Sequence, residues 1–444
     1  MIGKEANERP RPGMEASAIS RAAHRLDEQT LRDDLSVHAF GPSFGPPHVG
    51  LEIEMLVVRD QRAISVDEFL EAIAPLLELH ELEDATLPGA PPCFRYGSTS
   101  LTFEPGGQIE IVSAPQTSIA RALEDIAKLE MLLDRVLLWR GMRRLHVGIN
   151  PWQHATEIEL QTPLPRYQAM HEYFSRIGPE GARMMRLCCA IQINLDTGSP
   201  TQVSERWYLA NLMSPIFGGM FANSPLAGGD VSGWKSSRAG VWRGVDPSRT
   251  GILASRDGPG AYLQFALEAG MLLRRTDSGY LSGKPGLTFC NWMQESDGPG
   301  PTIDDWHYHL TTLFPHVRPR GYFELRSIDA LPVRWRAVPV AIASALLMDD
   351  EARQTATELL EPHRERLGVI GLAAARAGLD DPTVAKLAQS LMATATQAFP
   401  RLPEEWISAD IAATVHAFDE LYTARSRCPA DGVLESPGDP FAWQ

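Results

Sequence analysis

Residues 103–115, FEPGGQIEIVSAP, place Glu104 and Glu110 inside an otherwise apolar stretch that is interrupted by a Pro-Gly-Gly. Ile109, Ile111 and Val112 favour a strand, and period-two alternation sets Gln108 and Glu110 on the face opposite Ile109 and Ile111. One face therefore carries carboxylate, and the glycine pair predicts a place where backbone comes close to something else. Three further stretches repeat the pattern: GLEIEMLVV (50–58), CCAIQINLD (188–196) and GYFELRSID (321–329). In the first, Leu51, Ile53, Met55 and Val57 share one face while Glu52 and Glu54 share the other, roughly 7 Å apart. The second sets Gln192, Asn194 and Asp196 on one face, and the third pairs Glu324 with Arg326.

A single strand with two outward glutamates is usually just a solvated sheet face. Repetition on separate strands argues for more. If the strands form one antiparallel sheet whose apolar face packs on helices, the other face gathers Glu52, Glu54, Glu104, Glu110 and Glu324. Crowded carboxylates repel, so some must hold protons or the group must hold cations. Oxygen-only ligands select hard ions such as Mg²⁺, with Mn²⁺ as a substitute, commonly bridging to nucleotide phosphates. Arg326 has two uses open to it, a cross-strand ion pair or a planar fork for a phosphoryl group.

Composition narrows the partners. The chain has 444 residues, 44% hydrophobic and 22% charged, with a formal net charge of −15. That balance suits a folded globular chain and argues against a broad nucleic-acid or anionic-membrane surface. The five cysteines, Cys93, Cys188, Cys189, Cys290 and Cys428, are odd in number and contain no C-x-x-C pair. They fit a reducing cytoplasm better than a disulfide framework, and Cys188 and Cys189 read as small core residues. The apolar run AVPVAIASALLM (337–348) is too short to span a bilayer, and the N-terminus has no apolar stretch to act as a signal peptide.

Along the chain, residues 1–27 and 426–444 read as polar, weakly ordered tails flanking a single folded body over 28–425. One helix is predicted over 118–144, with Leu123, Ile126, Leu129, Leu133 and Leu137 as its stripe, and a run of helices over 337–425. Proline and glycine punctuate 215–302 so densely that loops with two short helices are expected there. GGDVSGWKS (228–236) lacks the Gly-Lys step of a phosphate loop, and no G-x-G-x-x-G follows a strand. His307 and His309 in DDWHYHL would share one strand face but lack a partner pair at ligand spacing. Trp234 and Trp242 beside Lys235 and Arg238 read either as an aromatic and cationic binding loop or as packing for a long insertion.

The quoted segment strongly resembles the EPGGQ-E-SG-P segment of plant-type glutamate-cysteine ligases. GLEIEML, RMMRLCCAIQINLD, FANSPLAGGDVSGWKSSRAGVWRGVDPSRTG and DDWHYHLTTLFPHVRPRGYFELRSIDALP match further blocks of that family in order, from about residue 50 to 335 and beyond. The tryptophan spacing and the HLTTLFP-VRPR block are most similar to its ergothioneine-pathway branch. The resemblance implies an α+β fold, a glutamine-synthetase-like bent antiparallel funnel backed by helices with a helical C-terminal region. It also implies ATP-dependent joining of the γ-carboxylate of glutamate to the amine of cysteine through a γ-glutamyl phosphate.

By match to the family's positions, Glu52, Glu54, Glu104, Glu110 and Glu324 would hold magnesium, and Arg326 would stabilise the transferring phosphoryl group. Arg238 would take the α-carboxylate of glutamate, with Gln192, Asn194, Trp242 and Arg249 as further substrate-binding residues. The implied partners are ATP, glutamate and cysteine, with neither nucleic acid nor membrane. One departure stands out: Ser113-Ala114-Pro115 replaces the family's SG-P. Two other readings stay open, a γ-glutamyl ligase for another small amine and a non-catalytic ligand-binding relative.

Overall fold

Leu51, Ile53, Met55 and Val57 are all buried, and so are Ile109, Ile111, Ile191, Ile193, Phe323 and Leu325. The period-two reading therefore holds across four strands. The computed structural model describes residues 26–439 apart from 163, 277–278, 284–285 and 296–299. Among the described residues the main sheet has ten strands: β1 (Val49–Arg59), β2 (Arg62–Ala63), β3 (Glu83–Asp84), β4 (Phe94–Tyr96), β5 (Thr99–Phe103), β6 (Ile109–Val112), β7 (Arg143–Leu145), β8 (Ala190–Asp196), β9 (Val317–Pro319) and β10 (Tyr322–Asp329). Their order is β9-β10-β8-β1-β6-β5-β4-β3, with β2 and β7 paired to the far end of β1. Every pairing in it is antiparallel.

The register brings the polar faces together. Glu54 stands opposite Glu110, Glu52 opposite Gln192, and Glu324 opposite Asn194. Behind the apolar face, the helix Ile119–Leu137 presents Ile126, Leu129 and Leu133. A second helix, Gln202–Met220, is buried on all sides from Arg206 onward because it lies between β10 and the C-terminal helices. Among the described residues the main apolar core runs from Leu31 to Ala430, with two smaller buried clusters beside it.

Four expectations change. The helix predicted over 118–144 ends at Leu137; after a short 3₁₀ turn Gly141 takes a left-handed φ of 68°, and Arg143–Leu145 returns to pair with β1. The stretch 215–302 holds more helix than expected: besides the end of Gln202–Met220, helices occupy Ser237–Val245, Gly258–Glu268 and Phe289–Gln294. Ser236, Asp257 and Thr288 cap them, and Pro259 sits in a first turn where proline starts a helix rather than breaking it.

His307 and His309 lie on the helix Ile303–Leu310, not on a strand, because Thr302 and Asp305 form a capping box at its start. The expected C-terminal tail is also structured as far as Glu435. The helix Pro429–Glu435 is capped at Cys428, buries Ala430 and Val433, and is tied by the Lys235–Asp431 ion pair. Residues 1–25 and 440–444 lie outside the described residues.

Candidate active site

The Pro-Gly-Gly is the turn that joins β5 to β6. Glu104 N–H donates to Gln108 O at 2.8 Å, Gly107 N–H donates to Glu104 O at 2.9 Å, and Gly107 has a φ of +88°. Gly106 packs against the helix Glu180–Leu187 so closely that an added Cβ would lie 2.5 Å from both Cα and carbonyl O of Arg186. The turn thus holds Glu104 beside the cross-strand pair Glu54 and Glu110. One carboxylate oxygen from each of these three lies within 4.8 Å of the others.

Burial, and then the charges of Glu104 and Glu110, push the Glu54 carboxyl up to about 8. Glu54 nonetheless accepts from Ala190 N–H and from Gln192 Nε2, each at 2.8 Å, and Glu110 accepts from the Thr102 hydroxyl at 2.6 Å. Three carboxylates arranged around one point fit an oxygen-ligated hard cation.

The other two predicted metal ligands stand apart from that trio. Glu52 is buried and accepts from Asn194 Nδ2 at 3.2 Å. Glu324 is fully buried, and its oxygens accept from Arg318 Nη2 at 2.9 Å and Arg326 Nη1 at 3.0 Å. Burial alone would raise the Glu324 carboxyl, but Arg318 and Arg326 overcome it and hold it at about 2. As arranged, Glu324 compensates arginine rather than adding to the acidic trio.

Arg326 reaches this position because β10 bulges between Leu325 and Ile328, which re-aims the side chain at the bend. Its Nη1 also donates to Gln192 Oε1. Gln192 therefore links Arg326 on one side to Glu54 on the other. Arg238 donates from Nη2 to Arg326 O at 2.9 Å, and the Trp242 ring lies 5.7 Å from the Arg238 guanidinium and 5.8 Å from that of Arg326. Among the described residues, the buried Nε atoms of Arg238 and Arg326 and Nε1 of Trp242 have no acceptor. Donors left this way are suited to an anionic ligand.

A cavity of about 460 Å³ is lined by Glu52, Glu54, Glu104, Glu110, Arg238 and Arg326, among others. A second of about 460 Å³ shares Arg238, Trp242, Phe314 and Arg326 as a common wall and adds Arg243, His316 and Arg364.

Asn194 lines neither cavity and donates to the buried Glu52 instead, and Arg249 is the other exception among the expected substrate-binding residues. It lines neither cavity and is wholly buried, donating to Asp246 at 2.9 Å, to Thr312 O at 2.8 Å and to Gly270 O. Its guanidinium is taken up in joining loops, a structural use that sequence spacing could not distinguish from ligand binding. The two tryptophans also part company: Trp242 faces the site, whereas Trp234 stacks under Arg376, and Lys235 pairs with Asp380 and Asp431.

Three residues were missed. Gln108 donates to Cys188 O at 3.0 Å and lines the acidic cavity. Arg318 clamps Glu324, and Asp329 accepts from Asn223 N–H, Ser224 Oγ and Ser236 Oγ, fastening the Arg238 helix to the end of β10. The Arg-x-x-x-x-x-Glu spacing across the tight turn before β10 was the available signal for Arg318.

Residues 48–439 match the profile of glutamate-cysteine ligase family 2. The chain belongs to glutamate-cysteine ligase family 2. Within that family it is 34% identical over 348 residues to glutamate–cysteine ligase EgtA of Mycobacterium tuberculosis, covering 76% of each chain. It is 27% identical over 361 residues to chloroplastic glutamate–cysteine ligase A of Oryza sativa subsp. indica, covering 78% of this chain and 72% of the relative. A solved glutamate–cysteine ligase of Francisella tularensis in complex with AMP superposes with a TM-score of 0.54 at 12% identity, covering 89% of this chain and 85% of that one. That likeness supports the family's fold, a mixed α/β architecture with an antiparallel sheet and a helical C-terminal region. Among the described residues no helix is long and apolar enough to cross a membrane.

Proposed function

We propose that this ligase joins the γ-carboxylate of L-glutamate to the amine of L-cysteine at the expense of ATP, giving γ-glutamylcysteine, ADP and phosphate. The observation that carries the reading is the meeting of Glu54, Glu104 and Glu110 with Arg326 and Arg238 across one cavity in a member of this family.

A carboxylate is a poor electrophile, so the γ-carboxylate first needs a leaving group. One of its oxygens attacks the terminal phosphorus of ATP and ADP departs; the cysteine nitrogen then attacks the acyl carbon, and phosphate and a proton leave. Mg²⁺, or Mn²⁺ in its place, would be held by Glu54, Glu104 and Glu110, and when bound supplies neutralising charge for the phosphate oxygens.

Arg326 reaches the same space from the opposite side, where its fork stabilises the phosphoryl group and then the negative charge of the tetrahedral acyl centre. Gln192 fixes Arg326 relative to Glu54. Arg238, with its Nε lacking an acceptor among the described residues, holds the α-carboxylate of glutamate, and the Trp242 ring lies within cation–π range of both guanidiniums. Since Arg238 and Arg326 face both cavities, a glutamate bound there lies between the acidic chamber and the second one. Gln192 and Asn194 keep Glu54 and Glu52 in place from β8.

The catalytic unit runs from residue 28 through the C-terminal helices, and the reaction suits the cytoplasm, where ATP and reduced cysteine are present. The product would enter ergothioneine or glutathione formation.

The test is phosphate release with ATP, Mg²⁺ and glutamate, comparing cysteine with a panel of small amines and weighing the product. The γ-glutamylcysteine mass should appear only with cysteine. Turnover with a different amine would reassign the acceptor, and silence with every amine would overturn the reading.

A further inference from the structure

At the rim of the acidic cavity the helix Glu28–His38 meets the helix Ile303–Leu310. Asp34 and His38 are one turn apart on the first, so they share a face; His307 reaches them from the second. Asp34 Oδ1 lies 2.9 Å from His38 Nδ1 and 2.9 Å from His307 Nε2. The two imidazoles are 5.9 Å apart and edge-on. One ligand atom from each of the three residues falls within 4.8 Å of the others.

The carboxylate is held from behind. Trp306 Nε1–H donates to Asp34 Oδ2 at 3.2 Å, which leaves Oδ1 turned to the imidazoles. An outer-shell donor of this kind orients a metal-binding carboxylate. The Asp34 side chain is 9% exposed, whereas those of His38 and His307 are 68% and 47% exposed. A fixed oxygen anchor thus carries two imidazoles that can rotate, with open positions toward solvent.

Two nitrogens and one oxygen are a different donor set from the three carboxylates deeper in the cavity. Imidazole suits late first-row ions, while Mg²⁺ prefers oxygen and keeps its waters. Zinc bonds near 2.0–2.2 Å place neighbouring ligand atoms roughly 3–3.5 Å apart, within reach of small imidazole rotations here.

We propose that Asp34, His38 and His307 form a site for one late first-row divalent ion, Zn²⁺ foremost, which clips the helix Glu28–His38 to the helix Ile303–Leu310 at the mouth of the cavity. The site is distinct in chemistry from the carboxylate trio, and an ion bound there fastens the first described helix of the chain to the body.

The experiment titrates Zn²⁺ into the full chain by calorimetry with millimolar Mg²⁺ held constant, and follows Co²⁺ by its visible absorption as a second probe. The parent should bind one ion, with a Tm that rises on Zn²⁺ addition. Binding should weaken at least about tenfold in His307→Ala and in His38→Ala, as loss of a ligand demands, and stay unchanged in His416→Ala, an exposed histidine on the helix Ala409–Leu421. Both ligand histidines are exposed enough for the variants to fold, and His307→Gln provides a second form. Absence of Zn²⁺ binding in the parent would overturn the proposal. So would binding that survives in both alanine variants, which would assign the ion to Cys93, Cys290 or the carboxylate trio. The readout is metal binding, so its outcome is independent of turnover.

Discussion

Glu54 and Glu110 stand directly opposite each other in the β1–β6 register, a position where like charges repel at closest range. Glu104 adds a third carboxylate from the β5–β6 turn. The consequence is a carboxyl at Glu54 raised to about 8 from an ordinary 4.5. In the unfolded chain this group ionises near 4.5, so without a cation stability is lost as pH rises from about 4.5 toward 8. A cation reverses the repulsion and displaces the proton. Mg²⁺ should therefore raise Tm more at pH 8 than at pH 6, and Glu110→Gln should abolish most of that increment. Thermal melts with and without Mg²⁺ at the two pH values check this; an increment equal at both would contradict the trio's coupling.

Arg326 touches Glu324 and Gln192, and its Nε has no acceptor among the described residues. Arg326→Ala should lower kcat/KM by about 10²–10³, the usual cost of losing one preorganised charge-stabilising donor. Arg326→Lys should recover only part, because a point charge cannot replace the planar fork. The fold should survive, since Glu324 keeps Arg318. Steady-state kinetics of the three proteins decide it.

Glu324 is 0% exposed, and Arg318 holds it from β9 with two donors. Arg318→Ala leaves this buried carboxylate with Arg326 alone and should destabilise by about 3–5 kcal/mol, the range for breaking a buried pair from one side. Arg318→Ala combined with Glu324→Gln should be more stable than Arg318→Ala, since the orphaned charge is gone. Denaturant unfolding of both variants gives the comparison.

His316 sits half-buried at the wall of the second cavity, its Nδ1 3.3 Å from Ser214 Oγ, and desolvation followed by Arg238 and Arg243 lowers its pKa to about 4. Its unfolded counterpart gains a proton near 6.5 while the folded one stays neutral. Stability from this group is complete above 6.5 and drains as pH falls from 6.5 to 4, by of order 3 kcal/mol at full expression. His316→Gln should flatten that part of the stability profile, measured by urea unfolding across the range.

The sheet was legible because Leu51-x-Ile53-x-Met55-x-Val57 and its three counterparts alternate over much of their length, and a one-residue slip would have turned the glutamates of these strands onto the apolar face that packs against the helices. The carboxylate face followed from the same alternation. What sequence periodicity could not convey was which acids meet which bases. Glu324 and Glu54 look alike along the chain, yet Arg318 arrives beside one through a tight turn and Glu110 beside the other through strand pairing. Arg249 carried the right chemistry in the right block and was absorbed by Asp246, Thr312 and Gly270. The helices of 237–294 were hidden because capping residues and prolines at their starts have the composition of loops.

Gly106 gives the most local test of how the site is assembled. Its added Cβ would meet the Arg186 backbone at 2.5 Å, and neither neighbour can swing aside as a flexible side chain would. Gly106→Ala must therefore push the turn away from the helix Glu180–Leu187, and with it Glu104, whose N–H and C=O both bond within that turn. The cost should be about 1–3 kcal/mol of stability, the range for overpacking. The sharper effect should fall on the metal response, because moving Glu104 opens the trio while Glu54 and Glu110 stay paired across their strands. Mg²⁺ should then stabilise Gly106→Ala far less than the parent at pH 8. A parent-like Mg²⁺ increment in a destabilised Gly106→Ala protein would mean that Glu104 does not belong to the metal-binding group.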